Sequence, residues 1–330
     1  MSSLHSDVLA WFDQKKREMP WRTNPNPYRV WVSEIMLQQT QVSVVIPFFE
    51  RWMQRFPDVE TLAYANIDEV LAHWSGLGYY RRARNLHSGA VWICENGFPS
   101  TAKEWLSVPG VGRYTAGAIA SIALDERTAL VDGNVERVFA RLENSLLQNP
   151  ALNRITWSWA EASLPESRVG DWNQALMELG ATICTPKNPD CSACPLQTMC
   201  KSYEEGVERE RPVKSEKRRF VELTRYASVI ERNGTFALIR IPRGEWWEGM
   251  WMFPTSNSAP QGRQIATIKH TVTHHKLTFE LWLTEEEATE TTYFSPAEIE
   301  DLPIPGIQRK FLRALEGEIS KRNSKNLFDP

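Results

Sequence analysis

Leu106-Ser-Val-Pro-Gly110-Val-Gly112-Arg-Tyr114-Thr115 lies between two helix-patterned stretches, and its proline and glycines decide how those helices meet. Pro-Gly-Val-Gly permits a tight turn with backbone N–H groups facing outward where the second helix starts. Such a start binds phosphate, because its first N–H donors lack partners and the helix dipole favours an anion there. An ordinary helical hairpin would use the same residues. From Gly110 and Gly112 alone, DNA backbone binding and plain packing both stay open.

Helical patterning surrounds this turn. Leu9, Trp11 and Phe12 form an apolar stripe after Ser6, and 40–56 reads as a helix bent at Pro47. Asn66 has the look of a cap before Val70, Leu71 and Trp74. Further helices are predicted over 79–93, 115–124, 133–142, 155–162 and 171–183. No stretch here alternates as a strand does, so 1–203 is expected to be an all-α domain. Cys94, in the apolar run from Ala90, reads as a core residue.

The pattern changes after Tyr203. Residues 204–222 carry Arg209, Arg211, Lys214, Lys217, Arg218 and Arg219 with little that is apolar, and read as a solvated linker. Tyr226–Glu231 and Thr235–Ile241 are β-branched runs joined by Asn233-Gly234, a hairpin signal. Another strand is predicted over 277–283 and a closing helix over 305–316. An α/β domain over 223–320 follows, with a frayed polar tail over 321–330. No internal repeat is seen.

The chain has 330 residues, is 42% hydrophobic and carries a formal net charge of -3, so any polyanion site must come from local patches. The N-terminus lacks a secretory signal and no apolar run reaches membrane-spanning length. The expectation is a protein inside the cell, in a compartment that keeps thiols reduced. Four of the five cysteines, Cys184, Cys191, Cys194 and Cys200, nevertheless crowd into one loop. A disulfide framework does not suit that compartment. One Cys-x-x-Cys flanked by two lone cysteines differs from the paired spacing of zinc folds, and leaves an iron–sulfur cluster, zinc or free thiols open.

Three other stretches carry chemistry. Asp132 ends the apolar run Leu130-Val131 where a helix cap is expected, and a capping carboxylate is held toward its ionised form by backbone N–H donors. Most such residues are only caps. Glu34 is the one acid in an apolar helix, where desolvation raises its pKa and suits it to donate a proton near neutral pH. A buried, ion-paired Glu would look the same. Gly76-Leu-Gly-Tyr79-Tyr80 followed by Arg81, Arg82 and Arg84 suits base stacking with phosphate contact, or a solvated basic face.

Taken together and in order, these stretches resemble the helix–hairpin–helix superfamily of DNA glycosylases, and within it the MutY-type adenine glycosylases. The resemblance is carried by Pro20-Trp-Arg22, Ser33–Gln41, Gly76–Tyr80, Val108–Thr115, Val131–Asn134 and the cysteine loop. It implies removal of adenine opposite 8-oxoguanine or guanine in double-stranded DNA by a monomer, at the nucleoid if the source is bacterial. Glu34 would protonate adenine at N7 and Asp132 would stabilise the oxocarbenium-like sugar, the division of labour of glycosidases. Asn134 would hold Asp132, and Tyr114 would order the site. Arg22 and Gln174 would line the adenine pocket, while Gln39 and Tyr79 enter the base stack as adenine flips out. The four cysteines would hold a [4Fe–4S] cluster, fixing a loop with Lys187 and Lys201 for DNA.

Tyr114 stands where endonuclease III-type relatives carry the Lys that attacks the sugar, so a bifunctional glycosylase/lyase is the disfavoured alternative. A catalytically dead DNA scanner does not need both Glu34 and Asp132, and an electron carrier does not need so large a helical domain. Trp246–Pro254 resembles the segment before the catalytic box of Nudix hydrolases, but 255–264 has no Glu to bind metal. The implied role of this domain is to read 8-oxoguanine through a hairpin of pattern His-x-Phe-Ser-His. Here it reads His270-Thr-Val272-Thr273-His274, with the aromatic lost. Removing everything after about Arg219 is expected to lower opposite-base preference and spare excision.

Overall fold

The computed structural model describes residues 2–213 and 220–325. Lys214, Lys217, Arg218 and Arg219 of the expected linker, and 326–330 of the expected tail, lie outside them. Packing divides the chain into two compact units, Met1–Tyr64 with Asn85–Glu216, and Ala65–Arg84 with Lys217–Pro330. Among the described residues no helix is long and apolar enough to cross a membrane.

The helices, in chain order, are α1 (Ser2–Lys15), α2 (Pro27–Leu37), α3 (Val42–Arg55), α4 (Val59–Ala63), α5 (Ile67–Trp74), α6 (Arg81–Asn96), α7 (Ala102–Trp105), α8 (Arg113–Ala123), α9 (Gly133–Leu142), α10 (Ala151–Ala162), α11 (Val169–Thr182) and α12 (Lys201–Glu204). Asn26 opens α2 by accepting from Arg29 N at 2.9 Å, with Pro27 at the first helical position. Tyr28 and every residue from Val30 to Met36 are buried, as a helix apolar all round must be. α3 continues through Pro47 in its second turn, where the ring removes one donor. A core of Val8, Leu130, Val135, Trp172, Leu176 and Leu179 joins α1, α9 and α11.

Cys94 is exposed, against expectation. In α6 the buried stripe runs Ala83, Leu86, Ala90, Ile93, and the residue after Ile93 is turned about 100° off it. Part of the stretch read as solvated linker packs on the helical unit. Arg211 Nε donates to Asn144 Oδ1 at 2.7 Å and the Arg211 carbonyl accepts from Arg141 Nε at 3.1 Å.

The second unit holds two sheets, one mixed and one wholly antiparallel. β1 (Val221–Val229) pairs in parallel with β7 (His275–Leu283), which forms a hairpin with β6 (Arg263–Val272), and β5 (Thr255–Ser256) edges β1. The other sheet is β2 (Glu231–Arg232), β3 (Thr235–Arg240) and β4 (Trp251–Met252), with β8 (Thr291–Phe294) on β3. Asn233-Gly234 does make a hairpin, both residues at positive φ, but it joins β3 to the two-residue β2; β1 lies in the other sheet. Leu277, Phe279 and Leu281 alternate inward, and Phe279 meets Phe311 of the closing helix, α14 (Gly306–Lys325), which follows α13 (Pro296–Asp301). Running to Lys325, α14 takes in half of the tail expected to fray.

Candidate active site and cysteine loop

Arg22, Glu34, Gln39, Tyr114, Asp132, Asn134 and Gln174 line one cavity of about 660 Å³ in the helical unit, a size that suits a small organic group. α2 carries Glu34 into its wall with 5% of the residue exposed. Burial pushes the Glu34 carboxyl up to about 7; the Asp132 charge adds to this, while a hydrogen bond from Tyr114 and the Arg22 charge oppose it. Tyr114 Oη donates to Glu34 Oε2. Burial and the two carboxyls hold the Tyr114 phenol well above its usual range, so it acts as a donor and not as an anion.

Asp132 is the N-cap of α9. It accepts from Asn134 N at 2.9 Å and Val135 N at 2.8 Å, and Asn134 Nδ2 donates to its other oxygen at 2.7 Å. These bonds and the Arg137 charge favour the ionised form, as a cap should, yet burial outweighs them and the pKa is raised. Three donors hold the Asp132 carboxylate, against the single phenol on Glu34, and support its ionised form. Asn134 is itself gripped: its Oδ1 accepts from Arg137 Nη2 at 2.8 Å, and the same nitrogen donates to the Gly180 carbonyl at 2.6 Å. Gly180 is required, since a Cβ there would stand 2.6 Å from Asn134 Cβ.

The opposite wall rests on Glu178, an acid buried to 2%. Arg17 and Arg22 both pair with it, at 2.6 and 3.0 Å, and Arg22 Nε also donates to Gln174 Oε1 at 3.0 Å. The carboxyl is held below its ordinary value, because bonds and charges from the two arginines exceed its burial penalty. Arg17, Glu178 and Arg137 were not singled out from sequence. Helical spacing was the available signal: Glu178 lies one turn after Gln174.

α9 also reaches the cysteine loop. Arg137 Nε donates to the Cys184 carbonyl at 2.7 Å. Arg141, one turn on and 2% exposed, donates to Cys184 Sγ at 3.3 Å and to the Thr185 carbonyl at 2.8 Å. Cys184, Cys191, Cys194 and Cys200 line one small cavity. Among the described residues no three His, Cys, Asp or Glu side chains are grouped as around a single ion. Burial pushes the Cys194 thiol up to about 12, and the charges of its three neighbours push the same way. Four thiolates kept this close need a cationic centre, which fits a multi-iron cluster. Lys201, expected to face DNA, is ion-paired with Glu143.

The Pro-Gly-Val-Gly turn is formed as expected. Gly110 adopts φ +80, and a Cβ there would meet Asn85 at 2.4 Å. Gly112 is the N-cap of α8, with no side chain capping it. In the second unit, Thr273 and His274 form the two-residue connection of the β6–β7 hairpin. Trp246 packs on His275 at 4.9 Å and Trp247 on His270 at 5.7 Å between ring centres, bracing that hairpin. Gln39, Tyr79 and Thr273 all have positive φ, 57, 51 and 52, conformations that bulky residues seldom adopt.

Three family models match the chain. They are the HhH-GPD superfamily base excision DNA repair protein over residues 32–160, a NUDIX domain over 225–314 and the iron–sulfur binding domain of endonuclease III over 184–200. The chain accordingly binds a [4Fe–4S] cluster. Adenine DNA glycosylase of Mus musculus is 47% identical over 219 residues, 62% of this chain and 42% of its own, so the chain spans less than half of that relative. Adenine DNA glycosylase of Buchnera aphidicola subsp. Baizongia pistaciae is 37% identical over 256 residues, 76% of this chain and 73% of its own. A thermostable thymine-DNA glycosylase superposes with TM-score 0.57 and 28% identity, over 62% of this chain and 96% of that one. With two carboxyls on one cavity, the helical turn, the cysteine loop and relatives similar over most of their own length, this chain belongs to the adenine DNA glycosylase family.

Proposed function

We propose that the protein is a monofunctional adenine DNA glycosylase, acting on adenine opposite 8-oxoguanine or guanine in duplex DNA inside the cell, as a monomer. The observation that carries this reading is the pair of buried carboxyls, Glu34 and Asp132, on one cavity with Tyr114 hydrogen-bonded to Glu34. Glu34, protonated near neutral pH, gives its proton to adenine N7. The C1′–N9 bond then breaks with its electron pair leaving on the base. Asp132, ionised and aimed by Asn134, offsets the positive charge that develops on the sugar until water adds at C1′, the water's proton returning to the Glu34 carboxylate. Arg22 and Gln174, pre-set by Glu178, read the flipped adenine. The N–H groups at the start of α8, beside Gly110 and Gly112, take a DNA phosphate. Gln39 and Tyr79 fill the gap left in the stack. Their left-handed backbones support this, since strain of that kind gathers at functional sites.

The test is one assay. Duplexes bearing A:8-oxoguanine, A:G or oxidised pyrimidines are incubated with protein, and half of each is treated with alkali. Adenine release from the first two, with strands intact until alkali is added, is expected. Release of pyrimidines, or cleavage without alkali together with borohydride trapping, would favour a lyase and overturn the assignment of Tyr114.

Cys184, Cys191, Cys194 and Cys200 hold the cluster, which when bound ties their loop together. Protein purified without oxygen is expected to be brown and to hold about four irons per chain. Zinc at one per chain with no iron would contradict this.

Thr273 keeps a hydroxyl able to tell the altered edge of 8-oxoguanine from guanine, whereas Val272 offers little area for stacking. A preference for A:8-oxoguanine over A:G is therefore expected. Thr273→Val should reduce it about fivefold to tenfold, the worth of one hydrogen bond. An unchanged ratio of the two single-turnover rates would remove Thr273 from the reading.

A further inference from the structure

Ala65–Arg84 precedes the Pro-Gly-Val-Gly turn in sequence, yet it packs as part of the C-terminal unit. Side chains along its whole length are tied there. Arg84 Nη2 donates to the Glu248 carbonyl at 2.5 Å, and a Cβ on Gly249 would stand 2.4 Å from that nitrogen. Ser75 Oγ and the buried Tyr80 Oη both donate to the Ile304 carbonyl, at 3.4 Å each. Arg309 Nη2 donates to Ser75 Oγ at 2.9 Å, and Arg240 pairs with Asp68 at 2.5 Å.

Between these ties lies a loop in which Gly76, Gly78 and Tyr79 all have positive φ. Arg82 closes it, donating to the carbonyls of Leu77 and Gly78 at 3.2 Å each and lying against the rings of Trp74 and Tyr79. Tyr79 is left 49% exposed. A tyrosine holds φ +51 only where its surroundings enforce it. Here the enforcing residues come from the unit that also carries the Thr273 hairpin.

We infer that Arg84 and Arg309 are positioning residues for Tyr79, so that the C-terminal unit fixes the pose of the inserting tyrosine as well as reading the opposite base. This rests on the adenine glycosylase reading of the site. It also means that the C-terminal unit is not a separable reader. Cutting after Arg219 would remove Arg240, Glu248, Ile304 and Arg309 from under the Tyr79 loop, and so would lower excision along with discrimination.

The test uses the full chain with its cluster, as wild type, Arg84→Met, Arg309→Met and Arg84→Lys. Amide hydrogen exchange is followed in free protein, and single-turnover excision on A:8-oxoguanine and A:G duplexes. Each Met variant is expected to speed exchange at residues 76–82 about tenfold, with Arg113–Ala123 unchanged, and to slow A:8-oxoguanine excision by a similar factor. Arg84→Lys, which keeps a donor, should recover much of both. Unchanged exchange at 76–82 in both Met variants would overturn the anchoring. Faster exchange with wild-type excision on both duplexes would overturn the coupling to Tyr79. A wild-type protein that excises no adenine would instead defeat the reading of the site, while the exchange result would still decide the anchoring.

Discussion

Glu34→Gln is expected to slow single-turnover adenine excision by about 10³-fold, the middle of the range for removing a positioned general acid, while changing DNA affinity by only a few-fold. Gln fills the same space and its carbonyl still accepts from Tyr114, so the wall of the cavity survives. What disappears is the transferable proton. A variant keeping a tenth of wild-type excision would show that Glu34 does not protonate the base.

The pH profile should carry the same signature. In the proposed mechanism Glu34 acts protonated, and its carboxyl is pushed up to about 7, so excision should fall as pH rises through that value. Asp132 must be ionised, and burial raises its pKa too, so the acid limb should lie above the ordinary carboxylate range. The two limbs belong to a coupled pair. In Glu34→Gln the residual rate should lose the alkaline limb.

Stability should fall with rising pH as well, over a lower window. The folded-state value of about 7 exceeds the ordinary 4.5, so between those values the folded protein keeps a proton that the unfolded chain has released. Unfolding free energy therefore falls with rising pH across that window and levels off above it, a loss of about 3 kcal/mol for a shift of this size. Glu34→Gln escapes the loss. At pH 8 it should melt about 5 °C higher than wild type, with little difference at pH 5. The buried Glu34 carboxyl thus destabilises the fold at neutral pH, a cost that its proposed role as proton donor would account for.

Much of this site was legible because its signals are local. The bounds of α9, Gly133–Leu142, coincide with the periodicity read from sequence, since the Asp132 cap and the apolar stripe both act within a few residues. The isolated acid in α2 and the cysteine spacing are local in the same sense. What was missed is long-range. Arg137 and Arg141 point to carbonyls about forty residues away in the cysteine loop, and a carbonyl leaves no mark in a sequence. β1 was paired with the wrong partner because its parallel mate β7 is about fifty residues distant, while Asn233-Gly234 offered a nearer one. Ala65–Arg84 reads as one more helical stretch, and its allegiance to the C-terminal unit rests on contacts to backbone at Glu248 and Ile304. The left-handed backbones of Gln39, Tyr79 and Thr273 escaped for a related reason: none is the Gly or Asn that announces such a turn.

Asp132→Asn separates the cap of α9 from the charge proposed to act at C1′. As a helix N-cap Asn is as good as Asp, so the bonds from Asn134 N and Val135 N should persist and thermal stability should change by no more than about 1 kcal/mol. Burial raises the Asp132 pKa, so replacing it with a neutral amide even relieves a desolvation cost. The negative charge is lost, however, and with it the acceptor for Asn134 Nδ2. If Asp132 only caps α9, excision should survive. If it offsets positive charge at C1′ in a cavity screened from water, its loss should slow single-turnover excision by about 10³-fold, comparable to removing a dedicated electrostatic group elsewhere. Full folding, about four irons and near-normal DNA binding, together with that loss, is the expected outcome. Retention of a tenth of the wild-type rate would return Asp132 to the rank of a cap.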